Sequence, residues 1–162
     1  MSYDRQKAVA YAHKWAHARN PAFGAFDEIG GDCANFVSQC LFAGCGAMNP
    51  APDVGWYYRS MKNRSPSWTG VFFLHRFLTE NRGRGPYGQV APLESAQAGD
   101  VLQLAFVEGL FTHSGLVVER LGGVPGPEGI LIAAHTIDSD NRPVRSYPYR
   151  EARLIHILGA RE

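Results

Sequence analysis

The sequence predicts an α+β fold, with N-terminal helices packed on a C-terminal antiparallel sheet. Two observations carry this reading. Apolar residues recur at helical intervals between Tyr3 and Glu80, whereas from Ala98 onward the chain breaks into short Val-, Ile- and Leu-rich runs punctuated by glycine and proline. Helices first and consecutive strands after, joined by short turns, argue for an antiparallel sheet that serves as a platform for the helices.

The elements follow in order. Ala8, Ala12, Trp15 and Ala16 mark one face of a helix within Tyr3–Arg19, and Asn20-Pro21 stops it. His13 and His17 stand one turn apart on it, a spacing that alone is a weak metal signal. After an aromatic, acidic lead-in over Pro21–Ile29, Asp32 is placed to cap a second helix. Phe36, Val37, Cys40 and Leu41 give that helix an apolar face, and Gly44 offers a stop. Met48–Pro66, with prolines, glycines and Trp56-Tyr57-Tyr58, reads as a long loop whose aromatics either cover a cleft or pack the core. Ser67–Glu80 reads as a third helix, with Val71, Leu74, Phe77 and Leu78 on one face, and the Arg82–Pro86 stretch as a loop. Four strands are expected: Val101–Phe106, Phe111–Leu121, Gly129–Thr136 and Ala152–Leu158.

Length and charge bound the rest. A chain of 162 residues suits one domain, spanning 1–162, with a real core. Its net charge of +1, with both signs interspersed, leaves no electrostatic footprint for nucleic acid or an anionic membrane, so neither is expected as a partner. The longest apolar run, Val101–Phe111, is broken by Gln103 and Glu108, and Met1-Ser2-Tyr3-Asp4 lacks the basic and apolar regions of a signal peptide. The expectation is a cytoplasmic protein, or a secreted or cell-wall one if the chain is an excised domain. Three cysteines without a CxxC agree with a reducing compartment.

The chemistry centres on Cys33. At the first position of the second helix its sulfur meets unpaired backbone N–H groups and the positive end of the helix dipole, which favours a thiolate. The Gly30-Gly31 pair lets the backbone bend sharply in front of it. Cys40 and Cys45 read as small core residues. A cysteine nucleophile needs a base and a group that orients the base. His113 enters one expected strand, His135 ends the next, and a hairpin between the two strands brings these ends to one side.

This constellation resembles the papain-like cysteine hydrolases, and within them the NlpC-type amidases and peptidases of bacterial cell walls. Gly31-Asp32-Cys33-Ala34-Asn35-Phe36-Val37-Ser38-Gln39, Ser65-Pro66-Ser67-Trp68-Thr69-Gly70, Phe111-Thr112-His113-Ser114, Ala134-His135-Thr136 and Arg142-Pro143 are similar, in that order, to the bacterial amidase-domain family of that superfamily. The resemblance implies a papain-like, NlpC-type fold. It also implies hydrolysis of amide or peptide bonds through a thioester, with peptidoglycan fragments among the substrates. Cys33 is then the nucleophile, His113 the general base and later acid, and His135 the third member. Asp138 and Asn141 are the alternatives for the third role. No cofactor is required for this chemistry. Two other readings are a zinc hydrolase using Cys33, His113 and His135, and a catalytically inactive binding module on the same fold.

Overall fold

In the computed structural model, which describes residues 2–162, the helices are α1 (Arg5–Trp15), α2 (Cys33–Cys45), α3 (Pro66–Thr69) and α4 (Val71–Glu80). The strands are β1 (Tyr58–Ser60), β2 (Asn63–Arg64), β3 (Gly85–Ala91), β4 (Val101–Val107), β5 (Leu110–Arg120), β6 (Ile130–Ala134), β7 (Ser139–Pro143) and β8 (Glu151–Arg161). β1 and β2 pair as a small ribbon. The other six form one antiparallel sheet in the order β3-β8-β4-β5-β6-β7.

The period-2 alternation of the central strands divides the interior into two cores. Val101, Leu116, Val118, Ala133 and Ile155 face the helices. Leu102, Leu104, Val117, Ile132 and Leu154 face the other way and pack with Ala96, Val144 and Tyr147. On the helix side α2 is buried almost all round, as expected of a helix lying between the sheet and its neighbours. Ala8, Ala12 and Ala16 are fully buried beside it, their small side chains permitting close approach of α1. Gly44 serves the same purpose, because a Cβ there would stand 2.5 Å from the Tyr3 ring.

Several boundaries differ from expectation. α2 passes through Gly44 and ends at Gly46, whose φ of 67° is the left-handed cap and whose N–H reaches the Phe42 carbonyl. The third helix is two pieces, since Gly70 is extended between α3 and α4. β3 and β7 were not expected as strands. Both are edge strands, where a Gly-Pro start or a polar, turn-like sequence costs little because one side of the backbone is unpaired anyway.

The Met48–Pro66 segment contributes core. Trp56 and Trp68 are fully buried with ring centroids 4.7 Å apart, and their indole N–H groups donate to Ser38 Oγ and Asn35 Oδ1 at 3.0 and 2.9 Å. The polar residues on α2 thus satisfy the two tryptophans that pack on it.

Candidate active site

The chain enters α2 through a turn that only glycines take easily, with φ of 87° at Gly30 and 100° at Gly31. Asp32 follows and is fully buried. The expected side-chain cap is absent: its carboxylate turns inward and accepts from the Phe26 N–H at 2.7 Å and Asn35 Nδ2 at 2.9 Å. This fixes the lead-in loop to the first turn of α2 and places Cys33 at the first helical position.

The sulfur of Cys33 lies at an open stretch of the sheet. The β5–β6 ladder ends at the Leu116–Ala133 pair, so the outward peptide groups of Thr112 and Ser114 have no strand partner there. Cys33 Sγ takes their place, 3.9 Å from the Thr112 carbonyl oxygen and in reach of the Ser114 N–H. Burial pushes the thiol's pKa up, and the N–H groups of Ser114, Ala34 and Cys33 itself pull against that rise without cancelling it. The helix-mouth argument for a lowered pKa is therefore outweighed by desolvation. Cys40 and Cys45 are buried and raised as well, Cys40 well above the ordinary thiol range.

His113 is the residue between Thr112 and Ser114, so its backbone adjoins the sulfur. Its ring turns the other way. It pairs with Leu104 across β4 and lies against Tyr147 and Phe106, with centroids 5.4 and 6.4 Å away, on the face remote from the helices. Burial and then the Arg142 charge lower its pKa to about 4, which leaves the imidazole neutral at neutral pH. Its Nε2 is buried without a hydrogen-bond partner among the described residues.

His135 does not orient His113. The expected β5–β6 pairing is present, but its register, Leu116 opposite Ala133 and Val117 opposite Ile132, carries His135 to the helix face while His113 faces away. The His135 ring stacks on Phe36 at 4.1 Å, with Nδ1 2.5 Å from Asp32 Oδ2 and Nε2 2.8 Å from the Trp15 carbonyl oxygen. Nε2 also lies 3.2 Å from Arg19 Nη1, so this ring nitrogen faces a carbonyl acceptor and a guanidinium donor at once. Nor do the alternative third members meet His113. Asp138 accepts two hydrogen bonds from Arg19, at 2.9 and 3.0 Å. These contacts override the upward pull of burial and lower its pKa. Asn141 stands in left-handed backbone with φ of 50° on β7. The three ligands of the zinc reading do not converge either, since His113 and His135 occupy opposite faces and both His135 nitrogens are engaged.

A model of the family described as "Putative amidase domain" matches residues 2–158. The chain belongs to that family. The amidase domain is also 35% identical, over 146 residues, to a Bacillus subtilis (strain 168) protein called "Uncharacterized protein YhbB". That match covers 88% of this chain and 44% of the relative, so the chain spans less than half of that protein's length. No solved structure matches this chain.

Two residues packed around the candidate site carry no functional signal in the sequence. Asp32 looked like an ordinary cap, and only its burial reveals a carboxylate shared by His135, Asn35 and Phe26. Arg19 sits beyond α1 and grips Asp27 as well as Asp138, with Nη2 2.7 Å from Asp27 Oδ1. Its hydrogen bonds hold the Asp27 carboxyl below the usual range. No spacing rule links residues 19, 27, 32, 135 and 138. The acidic character of the lead-in was the one available signal.

Proposed function

We propose that this amidase-family chain is a cysteine-dependent amide or peptide bond hydrolase, with Cys33 as nucleophile and His113 as its proton acceptor and donor. The observation that carries the reading is the seat of Cys33 Sγ between the Thr112 carbonyl and the Ser114 N–H, the two peptide groups that flank His113. Cys33 Sγ therefore lies against the backbone on either side of the residue that would serve as base, although the His113 ring itself rests on the opposite face. The resting pair is a neutral thiol and a neutral imidazole. On this reading the His113 ring must leave Tyr147 and reach the sulfur around the β5 edge that β6 leaves unpaired.

In the first step the thiol proton passes to His113, a sulfur–carbon bond forms at the amide carbonyl, and the oxyanion is held by the Cys33 backbone N–H. His113 returns the proton to the leaving nitrogen as the carbon–nitrogen bond breaks. Water, deprotonated by His113, then cleaves the thioester and restores the thiol. N–H groups already aimed at the sulfur favour the thiolate as it forms.

Peptidoglycan fragments are the first substrates to test, a choice that rests on the resemblance to NlpC-type hydrolases. The experiment is a screen of muropeptides, ordinary peptides and amino-acid amides for amine release, with intact-mass detection of a thioester on Cys33. Turnover that survives Cys33→Ala would exclude the cysteine mechanism.

A further inference from the structure

On the helix face, three residues on adjacent strands form a row. Register places Arg153 of β8 opposite Gln103 of β4, and Gln103 opposite Ser114 of β5. The side chains join accordingly: Arg153 Nη2 donates to Gln103 Oε1 at 2.5 Å, and Gln103 Nε2 donates to Ser114 Oγ at 3.0 Å and to the Val71 carbonyl at 3.1 Å. Ser114 is the residue whose backbone N–H meets Cys33 Sγ. Two strand spacings, about 10 Å, thus separate Arg153 from the strand that carries the candidate nucleophile's seat.

The guanidinium is held without a direct ion pair. It lies over the Phe111 ring at 4.0 Å, and its Nε is buried with no hydrogen-bond partner among the described residues. No carboxylate among those residues forms an ion pair with it. Glu151, on the same strand, instead accepts from the Gly109 N–H. Burial lowers its pKa against the upward pull of the Glu151 charge, and its own charge adds to the burial that depresses neighbouring His75 on α4. A half-buried, stacked arginine with no carboxylate bonded to it, only the more distant Glu151 charge, can still take an anion directly. Its planar fork suits a carboxylate.

We propose that Arg153 is a specificity-determining residue that binds a free carboxylate on the substrate, so that the amides taken at Cys33 belong to acyl-amino-acid or peptide acids. Gln103 positions the fork, Phe111 supplies its platform, and the row to Ser114 sets the distance between carboxylate and scissile bond. The inference rests on the reading of Cys33 as nucleophile for its role in selection, but carboxylate binding is testable without it.

The test is an NMR titration of the full chain, following the Arg153 Nε–H signal, with N-acetylglycine as probe and its neutral N-methylamide as control. The acid is expected to shift the signal saturably and the N-methylamide not to. Binding monitored on neighbouring backbone signals should weaken at least about tenfold in Arg153→Gln, with Arg153→Lys between the two, as loss of a charge-assisted forked contact implies. Acid binding that persists in Cys33→Ala and weakens in Arg153→Gln assigns it to Arg153 independently of the nucleophile, which the hydrolysis assays judge separately. Equal response to acid and N-methylamide in the wild-type chain overturns the proposal even if the variants fail to fold. So does acid binding unchanged by Arg153→Gln.

Discussion

Asp32 and His135 meet through a 2.5 Å contact between Oδ2 and Nδ1, with both side chains withdrawn from solvent. The contact joins the residue before Cys33 to the residue that follows β6, and β6 ends where the sulfur takes over the free edge of β5. One buried pair thereby locks the helix mouth to the sheet.

Breaking that pair one-sidedly leaves its partner buried and unpaired. Asp32→Ala also orphans the Phe26 N–H and removes one of the two acceptors of Asn35 Nδ2, so it should cost about 3–5 kcal/mol. Asp32→Asn, which preserves the shape, should cost less. Urea denaturation with an unchanged m-value checks both. A loss under 1 kcal/mol in Asp32→Ala, on the order of a surface change, would show that the pair does not anchor the site.

Thiol reactivity should follow the order of burial and pKa. Cys33 is raised, whereas Cys40 is wholly enclosed and raised further. Alkylation of Cys33 should climb as pH rises above neutrality, because only the thiolate reacts. Cys40 should stay unlabelled until the chain unfolds. Peptide mapping after brief iodoacetamide treatment across pH decides it, and a Cys33 rate already flat at neutral pH would mean that its N–H contacts outweigh desolvation.

Gly44 sets helix propensity against packing. Alanine in mid-helix is worth about 1 kcal/mol over glycine. Here its Cβ would come 2.5 Å from Tyr3 Cε1 and 2.9 Å from the Asp4 carbonyl oxygen, and the second is backbone. Overpacking of this kind costs about 1–3 kcal/mol, so Gly44→Ala should lower Tm rather than raise it.

The helices and the central strands were legible because their apolar periods are strong. Val101, Leu116 and Ile155 announce their strands, while Gly85-Pro86 and Ser139–Pro143 form strands only because the sheet supplies a partner on one side. Cys33 was legible as a helix-mouth cysteine, but its burial was not, since depth depends on where β6 stops. The two histidines are legible as residues, but the faces their side chains take are not, and the structure places them on opposite sides of the sheet. Adjacent antiparallel strands bring their ends together, yet the face each side chain takes follows from register, which a one-residue slip inverts. Asp32 and Arg153 gained significance only from long-range contacts that no local pattern encodes.

His113 yields the last prediction, in which the sign is distinctive. Its pKa falls from an ordinary 6.5 to about 4 in the folded chain, through burial first and the Arg142 charge second. Between those values the unfolded chain binds a proton that the folded chain refuses, so stability must fall as pH is lowered through that window. Each pH unit separating the two values is worth about 1.4 kcal/mol, giving a loss of about 3 kcal/mol by the acid end. Carboxylates paired in the native state, such as Asp27 and Asp138 with Arg19, add their own loss only at lower pH, below the ordinary carboxylate range. The test compares urea midpoints of the wild-type chain and His113→Gln from pH 7 to pH 4. The wild type should lose stability over the window and the variant should lose about 3 kcal/mol less, because glutamine has no proton to refuse. Parallel curves would mean that the ring accepts its proton where it lies, and that Tyr147 and Arg142 do not hold it neutral.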